Sequence, residues 1–170
     1  VVLRYFREHP ETTILGGQIE EFITAPDDVI GKRVVPETDQ SLKEYMKKRC
    51  PFNHVTVMFK KTAVMKVGNY QDWFWNEDYY LWIRMQLNHA IFANTGTVLV
   101  KVRVGEEMYQ RRGGMNYFKS EVGLQKYMLD KGIINYATFL SNVTKRLIVQ
   151  IILPNRIRGW VFKTFARNKA

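Results

Sequence analysis

The chain has 170 residues, 46% of them hydrophobic and 14% aromatic, with 26 Lys and Arg against 16 Asp and Glu for a formal net charge of +10. Such a length buries roughly 70% of the surface of the unfolded chain, enough for one sizeable core, so a single globular domain is expected. No apolar run reaches the roughly 18 residues of a membrane span, and the single cysteine, Cys50, can close no internal disulfide, as in a reducing compartment.

In chain order, Val2, Leu3, Tyr5 and Phe6 predict a short helix ending near His9 and Pro10. The opening lacks a Met and is already helix-like, so a fragment of a longer protein is expected. A long β-like run over residues 13–23 is interrupted by Gly16 and Gly17, which mark either a packing bulge or a close backbone approach at a ligand cleft. Pro26, Asp27, Asp28 and Gly31 predict a loop over 25–32. Glu37, Thr38 and Asp39 have acid spacing, but they follow Pro36 and precede a helix over 41–48, so they read as a capping segment and not as a metal site.

After Pro51, Val55, Val57 and Phe59 alternate with Thr56, Met58 and Lys60, the two-residue period of a strand. A short helix from Thr62 stops at Gly68. Tyr70, Trp73, Phe74 and Trp75 then crowd one loop, which must pack on its own domain or on a flat ligand. The next helix opens on Asn76, Glu77 and Asp78. All three are ordinary helix-start residues, Asn76 as cap and the two acids beside the positive end of the helix dipole. They also suit a carboxylate held ready to take a proton from a hydroxyl. Leu81, Trp82, Met85 and Leu87 give this helix its buried face, while Arg84 points away or caps a neighbour.

Residues 90–93 and 97–104 read as two strands around the turn-forming Asn94, Thr95 and Gly96. Arg111 and Arg112, beside Gly113 and Gly114, form either a solvated basic loop or a grip for a diphosphate. Helices are predicted over 116–130 and 135–153, and after Pro154 over 156–167. From Lys145 to the end there are seven basic residues and no acid. The last helix, with Trp160 and Phe162 among its basic residues, either packs on protein or lies on an anionic bilayer surface. His54 stands at the start of the central strand. Neither it nor His9 and His89 has companions at metal-ligand spacing.

The succession of Asn53, His54, Thr56, Val57, Met58 and Phe59, then Gly68 and Tyr70, then Asn76, Glu77, Asp78, Tyr79, Leu81, Trp82 and Arg84, resembles the second half of a family 2 glycosyltransferase of the GT-A fold. It is most similar to bacterial enzymes that build capsular, exopolysaccharide or lipopolysaccharide repeat units. The likeness begins at Gly16 and Gly17 and runs to Arg111–Gly114. It implies an α/β fold with a mixed sheet, residues 1–115 forming the acceptor-side part and 116–170 a helical, basic extension. The nucleotide-binding half and the Asp-x-Asp motif of the family are expected upstream.

The resemblance further implies that Asp78 is the catalytic base with Glu77 as its neighbour. Arg111 and Arg112 would hold the donor diphosphate, and His54, Trp73, Phe74 and Trp75 would line the acceptor side. The whole enzyme would use a nucleotide-sugar donor, a glycan or lipid-linked acceptor, inversion at the sugar, and a Mg or Mn ion not bound by this fragment, which alone would be inactive. The place implied is the cytoplasm, peripheral to the inner face of the membrane, with exposed strand edges open to self-association. The alternative is a non-catalytic basic module for anionic membrane or polyanion; no nucleic-acid motif is present.

Overall fold

A computed structural model of the chain describes residues 1–105 and 113–153. The elements are α1 (Val2–Glu8), β1 (Ile14–Phe22), β2 (Val29–Arg33), α2 (Asp39–Met46), a 3-10 turn (His54–Thr56), β3 (Met58–Phe59), α3 (Lys61–Lys66), α4 (Glu77–Leu87), β4 (Phe92–Arg103), α5 (Met115–Asp130), α6 (Tyr136–Leu147) and a π-helical turn (Ile148–Ile152). Arg111, Arg112 and the helix predicted over 156–167 lie outside the described residues.

The sheet is mixed, as expected, and β1 is its hub. β2 and β3 both run antiparallel to β1, with Ile19 opposite Arg33 and Ile14 opposite Phe59, while β4 runs parallel to it from Ile14 opposite Phe92 to Phe22 opposite Arg103. β1 is paired along both edges, and both of its faces are covered as well, so that Ile14, Leu15, Gln18, Ile19, Glu21 and Phe22 are all buried. The pairing of β1 with β4 slips between Gly16 and Ile19, the irregularity that the paired glycines predict. Close packing requires those glycines: a Cβ on Gly16 would lie 2.2 Å from Asn94 Oδ1, and one on Gly17 would lie 2.5 Å from Leu99 Cδ1.

α4 crosses the core, with Tyr79, Leu81, Trp82, Ile83 and Met85 buried against Leu42 and Met46 of α2, Phe52, and Leu124 and Met128 of α5. Fully burying a side chain of this kind contributes about 1.5–3 kcal/mol. Arg84 is buried too. Its guanidinium lies over the Tyr80 ring and donates to the carbonyls of Val67 and Asn69, so it caps the C-terminal end of α3. There Gly68 takes φ +82° and ends the helix as predicted.

Three expectations are corrected. Residues 55–60 do not form a regular strand, because Thr56 turns inward and its hydroxyl hydrogen-bonds Gly17 and the Asn53 carbonyl; the chain makes a 3-10 turn and Val55 is exposed. The predicted loop over 25–32 ends in β2, whose backbone pairs with β1 although Gly31 and Lys32 are poor strand formers. Asn94, Thr95 and Gly96 do not turn the chain. Asn94 is buried and donates to the carbonyls of Pro36 and Pro51, which holds 92–103 as one strand instead of two around a turn.

Candidate active site

The 3-10 turn and the first turn of α4 meet beside β1. Asn53 and Thr56 fasten the 3-10 turn from either side of His54: Asn53 Nδ2 donates to the Gly17 carbonyl at 2.8 Å, and Gly17 N–H donates to Thr56 Oγ1 at 3.0 Å. The side chain that Gly17 lacks would meet Leu99 and Thr95 of β4, so the glycine lets β4 pack close behind this contact. The imidazole so held has its Nδ1 3.6 Å from Asp78 Oδ2 and its Nε2 3.0 Å from the Tyr70 hydroxyl, while its ring stacks on Tyr70 and meets the edge of Trp82.

Asp78 Oδ1 accepts the Tyr79 backbone N–H at 2.6 Å, which leaves Oδ2 to face His54 and, at 3.9 Å, Cys50 Sγ. Burial raises the Asp78 carboxyl above its ordinary value; the His54 charge and the Tyr79 N–H act the other way. Burial, and after it the Asp78 charge, pushes the Cys50 thiol up to about 12, so it is no nucleophile at neutral pH. The same causes, followed by Glu77, raise the Tyr70 phenol. A largely desolvated carboxylate with one oxygen held only by long contacts, flanked by an imidazole that hydrogen-bonds a phenol, can serve as a tuned proton acceptor.

The other predicted residues are placed as follows. Glu77 is exposed to solvent, one position before Asp78. Phe74 and Trp75 stack face to face, with centroids 5.2 Å apart, and both are exposed. Trp73 turns the other way. Its indole Nε1 donates to the Ser120 carbonyl, its ring lies 4.4 Å from Tyr80, and a Cβ on Gly123 would come within 3.1 Å of it, so it packs against α5. Asn76 stands at the helix start, but its side chain does not cap α4. Asn76 Nδ2 donates to Ser120 Oγ, and that hydroxyl bonds the Phe74 carbonyl, so the aromatic loop is tied to α5 while Trp75 sits at φ +55°.

Two neighbours escape a reading along the chain. Arg33, at the end of β2, donates to the Cys50 and Phe52 carbonyls, and its charge lowers the Asp78 carboxyl. Tyr70, read only as one of several loop aromatics, is the partner of His54. Both links join residues at least 16 positions apart, and no local spacing signals them. Among the described residues no group of three or more His, Cys, Asp or Glu side chains could hold a metal ion.

No family model matches the chain. Among curated proteins it is 38% identical to an uncharacterized glycosyltransferase of Haemophilus influenzae, a match over 96% of this chain and 60% of that protein. It is 36% identical, over 98% of this chain and 60% of the relative, to a UDP-Gal:alpha-D-GlcNAc-diphosphoundecaprenol beta-1,3-galactosyltransferase of Escherichia coli. A third relative is the amylovoran biosynthesis glycosyltransferase AmsE of Erwinia amylovora, 38% identical over 75% of this chain and 47% of that protein. The chain thus spans about 60% of the length of the first two.

Proposed function

We propose that this chain, similar over nearly its whole length to bacterial glycosyltransferases, forms the acceptor-side part of a GT-A transferase that moves a sugar from a nucleotide diphosphate onto a hydroxyl of a growing surface glycan. Residues 1–115 supply that part and 116–170 a helical extension. The observation that carries the reading is the Asp78 carboxylate, with one oxygen spent on the Tyr79 N–H and the other directed at His54.

In this reading the acceptor hydroxyl approaches Asp78 Oδ2, which takes its proton as the hydroxyl oxygen bonds to the anomeric carbon. The bond from that carbon to the donor phosphate breaks, the nucleoside diphosphate leaves with the bonding pair, and direct displacement inverts the sugar. His54 orients the carboxylate and favours its ionised form, and Tyr70 orients His54. The exposed Phe74–Trp75 stack suits the apolar face of a sugar ring. The leaving diphosphate needs compensating charge, for which we assign Arg111 and Arg112 and, in the whole protein, a Mg or Mn ion held by residues outside this chain.

One relative acts on an acceptor carried by diphosphoundecaprenol, and we extend a lipid-linked acceptor to this protein, with work at the inner face of the membrane. The relatives give no support to the alternative of a non-catalytic basic module. The test is Asp78→Asn in the whole enzyme: transfer should collapse while nucleotide-sugar binding, measured by calorimetry, is kept. Transfer at the wild-type rate would overturn the assignment.

A further inference from the structure

Trp75 holds a left-handed backbone conformation, φ +55°, which a bulky side chain adopts only where its surroundings force it. Strain accepted for the sake of packing would go with buried rings. Here Phe74 is 46% and Trp75 49% exposed, and the two rings lie stacked on each other, four and three positions ahead of Asp78. Their own burial does not offset the strain.

One hydroxyl holds the strained residue from both sides. Ser120 Oγ donates to the Phe74 carbonyl at 2.6 Å and accepts from Asn76 Nδ2 at 3.0 Å, so its proton and a lone pair are committed to the two neighbours of Trp75. The Ser120 carbonyl accepts the Trp73 indole N–H at 3.1 Å. α5 is shaped to the same loop, since Ser120, Gly123 and Tyr127 fall on one face at three- and four-residue spacing. Gly123 weakens the middle of that helix, but a Cβ there would come within 3.1 Å of the Trp73 ring. Tyr127 meets the same ring, with centroids 6.4 Å apart, and Tyr117 of α5 meets Trp75 at 6.5 Å.

We propose that Ser120 is a positioning residue for the acceptor: its hydroxyl keeps Trp75 left-handed and so sets the Phe74–Trp75 stack in advance as a platform for the apolar face of a pyranose ring. The inference rests on the sugar-transfer reading for its substrate. A platform set in advance favours binding, because the loop need not be ordered when the ring lands. Ser120 acts through the loop and not on the reacting atoms, so its loss falls on the acceptor KM and not on kcat.

The test uses the whole enzyme with N-acetyl-α-D-glucosaminyl diphosphate on a short alkyl chain as acceptor probe, after the acceptor of the Escherichia coli relative. Ser120→Ala removes both hydrogen bonds and suits a helix. It should raise the acceptor KM about tenfold and keep kcat within about twofold, and Ser120→Thr, which keeps a hydroxyl, should recover most of the loss. In protein carrying fluorotryptophan, the fluorine resonance of Trp75, assigned by its loss in Trp75→Phe, should shift or broaden in Ser120→Ala with no substrate present. Circular dichroism and thermal melting confirm that each variant folds. An unmoved Trp75 resonance, an unchanged acceptor KM, a fall in kcat alone, or Ser120→Thr no better than Ser120→Ala would overturn the proposal. Failure of the sugar-transfer reading shows separately, as transfer at the wild-type rate by Asp78→Asn.

Discussion

Asp78 combines two properties that pull apart. Burial opposes its charge, yet the proton transfer proposed for it requires that charge. A carboxyl raised in the folded state binds its proton more tightly there, so its contribution to stability is fully present below the unfolded value and is lost as pH climbs through the folded one. At neutral pH Asp78→Asn should therefore melt above the wild type, with the difference closing as pH falls below the ordinary carboxylate range; calorimetric melts across pH check this. In the whole enzyme the same substitution should cost about 10²–10⁴-fold in transfer rate. His54 holds the Asp78 carboxyl down. His54→Ala should accordingly shift the acid limb of the kcat/KM profile to higher pH, and an unmoved limb would remove His54 from the machinery.

Among the elements, the paired glycines of β1 make the clearest demand. Gly16→Ala puts a methyl group against Asn94 Oδ1 and the Phe52 ring, which a Cβ would approach to 2.9 Å. Asn94 cannot easily yield, being tied to two carbonyls. A loss of about 1–3 kcal/mol in urea denaturation is expected, and an unchanged midpoint would mean that β4 shifts freely. The glycines were legible as a bulge, and α3, α4 and α5 as helices, because caps and apolar period act locally. The 3-10 turn, β2 and the unbroken β4 were not legible, because each depends on a distant partner: Thr56 on Gly17, β2 on the edge of β1, and Asn94 on Pro36 and Pro51. Within the candidate site, the order of Asn76, Glu77 and Asp78 pointed to the start of α4, whereas the Tyr70–His54–Asp78 contacts needed the fold to bring three segments together.

On the scale of the whole molecule, α6 is held in place by a small polar lock to α5 and to the end of α2. Arg146 and Glu121 are both largely buried, and Arg146 also holds the Lys48 carbonyl just beyond α2. Arg146→Met should cost about 3–5 kcal/mol by leaving Glu121 buried and unpaired, and Glu121→Leu added to it should restore most of the loss. Chemical denaturation of the single and double variants measures both. Cancellation in the double variant would show that the pair fixes where α6 sits more than how stable it is.

Cys50 has a practical consequence. It is the only thiol in the chain and sits under Asp78 with its proton held on up to about 12, so at pH 7 about one molecule in a hundred thousand carries the thiolate. Maleimide should therefore label the native chain slowly at pH 7 and faster as pH rises. Labelling at Cys50, read by mass spectrometry without any added probe site, thus reports on the surroundings of Asp78, and Asp78→Asn, by removing one of the causes that hold the proton on, should speed it.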